Sequence, residues 1–124
     1  MRMNPPKSRK LPRPHLLFVC GRNRWRSPTA QRLYANDSRV EARSAGVSAR
    51  SPHQVSSADI EWADLILVME EKYAAWLRGN FQKTNLSPMK SLDIPDEYEY
   101  MDEELVELIR NSVEPHVRRM CESL

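Results

Sequence analysis

Cys20 and Arg26 stand six positions apart, with Ser27 and Pro28 directly after them. Across a tight loop, such a pair can serve one phosphate together. A thiolate is the nucleophile, and a guanidinium offers a planar fork of donors that matches two phosphate oxygens. The residues between them, Gly21, Arg22, Asn23, Arg24 and Trp25, contribute backbone N–H groups that can turn inward. A loop of this kind leading into a helix N-terminus is a concave nest for an anion. Thiols at helix N-termini beside cations ionise readily, so the chemistry of this stretch is phosphoryl transfer to Cys20. The spacing alone is weak evidence, since arginine is abundant in this chain. A buried core cysteine beside a solvated arginine is the plain alternative.

The flanking sequence supplies what the loop needs. Leu16-Leu17-Phe18-Val19 is a short apolar run that predicts a buried strand. Ser27 can cap a helix and Pro28 suits a first helical turn, predicting a helix to about Ala35. Asn23 tolerates left-handed backbone angles, a local reason for its place in a tight loop. Further along, Val40–Ala45 predicts a second strand, Ser56-Ser57-Ala58-Asp59 a capping box, and Asp64–Met69 a central strand apolar on both faces. Tyr73, Trp76, Leu77 and Phe81 form a helical stripe that reads as packing, with Gly79 near its end. A short strand is expected at Met89–Leu92. A last helix begins at Asp102, and Pro115 should break or kink it. Alternating strands and helices give an α/β domain with a parallel sheet and right-handed crossovers. In such sheets ligands sit beyond the carboxyl ends of the strands. Cys20 after the first strand and Asp96 after the last therefore fall on one edge.

Cys-x5-Arg-Ser-Pro after a strand ending Leu-Phe-Val, continued as Ser-Pro-x-Ala, resembles the low-molecular-weight protein tyrosine phosphatases over residues 15 to about 118. The resemblance implies a single domain with a four-stranded parallel sheet in a flavodoxin-like three-layer α/β/α arrangement. It implies a phosphomonoester hydrolase, a protein tyrosine phosphatase acting through a cysteinyl-phosphate intermediate, with no cofactor and no metal. The substrate would be a phosphorylated protein or a small aryl phosphate, and phosphate- or sulfate-type anions would bind the loop. Cys20, Arg26 and Asp96 are then the catalytic residues. Gly21, Arg22, Asn23, Arg24, Trp25, Ser27 and Tyr98 contact substrate. Ser44, in Ser44-Ala45-Gly46, resembles the serine that holds the asparagine of the loop, here Asn23. Ser27 could also hydrogen-bond the sulfur.

The chain departs from the family pattern in five places. Glu97 stands where proline is usual between the general acid and the aromatic, which leaves Asp93 as a second candidate acid. Gly21 precedes Arg22, whereas the family has glycine two places after the cysteine. Arg24 stands where an apolar residue usually faces substrate. Either arginine could favour an acidic or multiply phosphorylated ligand, or simply form surface ion pairs. Trp25 stands where many members carry a second loop cysteine. The Val47–Ala63 connection is short, and in relatives part of it walls the pocket.

Composition bounds the remaining readings. At 124 residues the chain holds one domain. Residues 1–14 hold five of its nineteen basic residues, four of its nine prolines and no acidic residue. They read as a disordered basic tail ahead of a mildly acidic body over 15–124. A nucleic-acid partner would rest on that tail alone. No run approaches the ~20 apolar residues of a membrane span, and no signal peptide is apparent. The expectation is a cytoplasmic protein with no membrane partner and an oligomeric state the sequence leaves open. Two cysteines and three histidines show no zinc-ligand spacing. Two rival functions remain: a phosphate- or phosphoprotein-binding module without turnover, and an arsenate reductase, for which only distant Cys121 could carry electrons.

Overall fold

The run His15–Cys20 is too apolar to face water on either side, and it forms the first strand (β1), one of the two central strands of a four-stranded sheet. In the computed structural model, which describes residues 13–82 and 84–122, the elements alternate. They are α1 (Arg26–Tyr34), β2 (Glu41–Gly46), α2 (Ser57–Trp62), β3 (Leu65–Val68), α3 (Glu71–Asn80), β4 (Met89–Ser91) and α4 (Glu103–Glu122). All strand pairs are parallel and the order is β2-β1-β3-β4, a flavodoxin-like single domain. Helix α1 packs against α4 on one face, while α2 and α3 cover the other. Leu16, Leu17, Phe18 and Val19 on β1 and Ile66, Leu67 and Val68 on β3 are wholly buried. Each such side chain contributes about 1.5–3 kcal/mol of hydrophobic stabilisation.

Strand order explains where a ligand can sit. From β1 the chain passes to β2 on one side, and β3 returns to the other side. The crevice beyond the carboxyl end of β1 is therefore a topological switch point. Cys20, the last residue of β1, pairs in register with Gly46, the last of β2.

Local signals account for most boundaries. Ser56 and Asp59 form the reciprocal capping box at α2. The Asp102 carboxylate accepts from the amides of Glu104 and Leu105 at the start of α4. Three details differ from the sequence expectations. Helix α1 starts at Arg26 with Trp25 at its N-cap, so Ser27 lies inside the first turn and its hydroxyl is not a cap. Helix α4 runs unbroken through Pro115. Both Pro115 and Asn111, whose carbonyl loses a donor, are exposed, so water can satisfy that carbonyl and the buried stripe Leu105, Ile109, Val113 and Val117 continues. Finally, Pro14 is buried, its carbonyl accepts from the Glu41 amide at 2.9 Å, and Arg13 pairs with Glu41. Residues 13 and 14 are thus tied to β2, and residues 1–12 of the expected tail lie outside the described residues. Among the described residues no helix is long and apolar enough to cross a membrane.

Candidate active site

The loop after β1 is folded around the sulfur of Cys20. Asn23 adopts φ 53°, the left-handed conformation that asparagine tolerates. This turn directs the Asn23 amide to Cys20 Sγ at 3.2 Å. The Asn23 side-chain amide donates to Ser27 Oγ and to Ser44 Oγ, each at 3.0 Å. Ser44 in turn hydrogen-bonds Gln31 Oε1 at 2.5 Å. Ser27 is wholly buried, with its Oγ 2.9 Å from Cys20 Sγ and 3.4 Å from the Ala45 carbonyl. Its single hydroxyl proton therefore has the sulfur as its nearer acceptor. Of the two roles expected for Ser27, the contact with the sulfur is formed in this structure. The Asn23 amide and the Ser27 hydroxyl thus converge on one sulfur.

Gly46 lets the loop sit this close. A Cβ at Gly46 would lie 2.8 Å from the Asn23 nitrogen and 2.9 Å from the Arg22 carbonyl carbon. Backbone bonds fasten the other side: the Val47 amide donates to the Cys20 carbonyl at 3.0 Å and the Ser48 amide to the Gly21 carbonyl at 2.8 Å.

Arg26 is 2% exposed, so its guanidinium needs full compensation. One Nη1 hydrogen goes to Glu70 and the other to the Ile94 carbonyl at 2.8 Å. Nη2 donates to the Tyr73 hydroxyl at 2.8 Å, and that hydroxyl donates on to Glu70 at 3.3 Å. Three of the five guanidinium donors are thereby taken. The remaining two, Nε–H and one Nη2–H, lie side by side on one edge, the arrangement that grips two oxygens of one phosphate. Burial alone would lower the Arg26 pKa, but the bonds to Glu70 and Tyr73 outweigh it and raise it. Burial also raises the Tyr73 hydroxyl, and its bond to Arg26 only partly offsets this.

Asp96 joins from the loop after β4, its Oδ1 3.6 Å from Arg26 Nε and its side chain largely exposed. Cys20, Arg22, Arg24, Trp25, Arg26 and Asp96 line one cavity of about 100 Å³. Tyr98 and the second candidate acid, Asp93, are not among them. Tyr98 donates its hydroxyl to Glu104 at 2.9 Å, at the start of α4. Asp93, at φ 55°, accepts from Ser91 Oγ at 2.7 Å and is exposed. Gly21 underlies the loop beside Tyr73; a Cβ there would meet the tyrosine hydroxyl at 3.0 Å.

Sequence reasoning missed Glu70 and Tyr73. Glu70 has one legible signal, because it stands two residues beyond β3 on the ligand edge of the sheet. Tyr73 was absorbed into a packing stripe, and only its hydroxyl distinguishes it from the other members.

A cysteine at a switch point, a loop amide turned to its sulfur and a fixed guanidinium edge are the parts of a cysteine-dependent phosphatase. The fold is that of the low-molecular-weight protein tyrosine phosphatases, to whose solved structures the chain is similar. Its solved structural relatives include the YwlE arginine phosphatase of Geobacillus stearothermophilus (25% identity, 88% of this chain and 91% of that one, TM-score 0.63). Others are the tyrosine phosphatase Wzb of Escherichia coli in complex with phosphate (22%, 89% and 97%, TM-score 0.60) and SP-PTP, a low-molecular-weight protein tyrosine phosphatase of Streptococcus pyogenes (17%, 86% and 92%, TM-score 0.70). No protein-family model matches the sequence, and no curated protein matches it.

Proposed function

We propose that this chain hydrolyses phosphate monoesters, phosphotyrosine of a protein or a small aryl phosphate, through a cysteinyl-phosphate intermediate. The observation that carries this reading is the convergence of the Asn23 amide and Ser27 Oγ on Cys20 Sγ, in a cavity also lined by Arg26 and Asp96.

In the first step Cys20 attacks phosphorus in line. The S–P bond forms as the ester P–O bond breaks, and the free edge of Arg26 and the amides of residues 21–26 hold the equatorial oxygens. Asp96, protonated, gives its proton to the leaving oxygen. In the second step the Asp96 carboxylate takes a proton from water as that water attacks phosphorus. The S–P bond then breaks, Ser27 donates to the departing sulfur, and inorganic phosphate is released. Ser44 supports Asn23 and carries no chemistry.

An arsenate reductase would have to move a disulfide between Cys20 and a second thiol. Helix α4 begins beside the ligand edge, and His116, Arg119 and Met120 toward its other end line a cavity with Leu65, the first residue of β3. At ~1.5 Å per residue it spans about 30 Å, which sets Cys121 far from the loop.

The test is rapid-mixing kinetics with an aryl phosphate, together with intact-mass detection of phosphorylated Cys20. A burst of phenolate and a phosphoryl adduct, both lost in Cys20→Ser, are expected. Phosphate binding with neither burst nor adduct would establish the binding-module alternative.

A further inference from the structure

Several arginines of this chain are compensated by carboxylates: Arg13 by Glu41, Arg26 by Glu70, Arg39 by Asp37 and Glu114, Arg43 by Asp59, and Arg118 by Glu114. Arg22 and Arg24, beside the anion site, are not. Both are exposed and line the cavity above Cys20, yet among the described residues neither forms a hydrogen bond or ion pair. Arg24 has a single contact, its guanidinium stacked over the Trp25 ring at 4.9 Å from the centroid. That stacking restrains a planar fork beside the anion site while leaving its donors unused. Two unpaired like charges at one mouth repel each other and add nothing to the fold. The neighbouring carboxylate, Asp96, faces Arg26 instead.

We propose that the preferred substrate carries a second anionic group beside its phosphate ester, and that Arg22 and Arg24 bind it at the cavity mouth. The inference rests on the phosphatase reading and names its substrate class: an acidic phosphomonoester, whether a phosphopeptide flanked by carboxylates or a small compound with a carboxylate or second phosphate. The same charges oppose a cationic leaving group, so phosphoarginine is a poor substrate here, unlike for the YwlE arginine phosphatase.

Two matched pairs of probes test this on the full chain. One is a phosphotyrosine peptide with acidic or with neutral flanks. The other is 3-carboxyphenyl phosphate or 3-carbamoylphenyl phosphate. Charge-assisted hydrogen bonds of the expected kind correspond to a preference of about tenfold or more in kcat/KM for the acidic member. The preference should shrink as salt rises, since screening at ~0.15 M acts over about 8 Å. It should fall toward unity in the Arg22→Gln/Arg24→Gln double variant. A preference in the small pair places the second anion within one ring of the phosphate, and one confined to peptides places it on flanking residues; either supports the proposal. Equal kcat/KM within both pairs, or a preference untouched by the double variant, overturns it. Calorimetric binding of the same probes to Cys20→Ser separates this from the phosphatase reading. Selective binding of acidic probes without turnover by the wild type would retain the acidic site and reject the hydrolase. Equal binding would reject the acidic site.

Discussion

The Thr29 hydroxyl ties the phosphate loop to the loop that carries Asp96. Its Oγ1 donates to the Trp25 carbonyl at 2.6 Å and accepts from the Met101 amide at 2.9 Å, across 72 positions of sequence. Thr29 is wholly buried, and Met101 holds φ 63° just before the N-cap Asp102. The other end of that loop is pinned where the Ile94 amide donates to the Met69 carbonyl at 2.8 Å. Thr29→Val keeps the shape and removes both bonds. Losing these part-buried bonds costs about 0.5–1.5 kcal/mol each, which a denaturant titration reads directly. We expect kcat/KM to fall most for substrates with poor leaving groups, because the acid loses its anchor while the phosphate loop keeps its own.

Asp96→Asn is expected to cost roughly 10²–10⁴ in kcat for poor leaving groups, the usual range for a general acid. Asp93→Asn should cost far less, because Asp93 is turned to Ser91 and does not line the cavity. A larger loss from Asp93→Asn, measured over a series of aryl phosphates of differing leaving-group acidity, would reassign the acid.

Tyr73→Phe removes one of the three bonds that fix Arg26 and leaves its aromatic packing. The guanidinium then has one more unassigned donor and a less defined edge. Phosphate affinity and kcat should both fall, by about 10- to 150-fold for a lost charge-assisted bond. Glu70→Gln should be worse, since it leaves a buried guanidinium without its carboxylate. Competitive inhibition by phosphate and steady-state kinetics check both.

Acid should loosen the seam between α1, β2 and α4. Arg39 hydrogen-bonds Asp37 and Glu114 and holds both carboxyls below their ordinary values, against a smaller opposing effect of burial. Groups whose folded pKa is depressed stabilise above their unfolded values, near 4, and lose that contribution as pH falls through the folded values. Stability should therefore decline below about pH 4.5. The pair sits at a partly exposed surface, so the loss is no more than about 1 kcal/mol. Arg39→Gln should flatten the slope between pH 5 and pH 3 in urea titrations.

Peroxide should inactivate the enzyme without an internal rescue. Oxidised cysteine proceeds through sulfenic to sulfinic acid unless a thiol intercepts it. A disulfide needs Cα atoms within about 7 Å, Trp25 occupies the loop position where a partner would stand, and Cys121 lies toward the far end of α4. Peptide mapping after limited peroxide should find Cys20 sulfinic acid or mixed disulfides with added thiols. A Cys20–Cys121 bridge with activity restored by dithiothreitol would contradict this.

What was legible in the residues is what depends on neighbours in sequence. The apolar run before Cys20 dictated a buried strand, Asn23 announced the left-handed turn, Ser56 and Asp59 their capping box, and the six-residue spacing from Cys20 to Arg26 the anion loop. These features act through backbone angles and hydrogen bonds within a few residues, so local chemistry suffices. Other features were set by folding alone. Glu70 and Tyr73 reach Arg26 across 44 and 47 positions, and Met101 reaches Thr29 across 72. The register of parallel strands decides which side chains arrive at the carboxyl edge together, and that register follows from burying whole faces of the sheet. Ser27 shows the difference most plainly. Its sequence position suits a helix cap, but the depth of β1 in the core buries its hydroxyl and turns it to the sulfur.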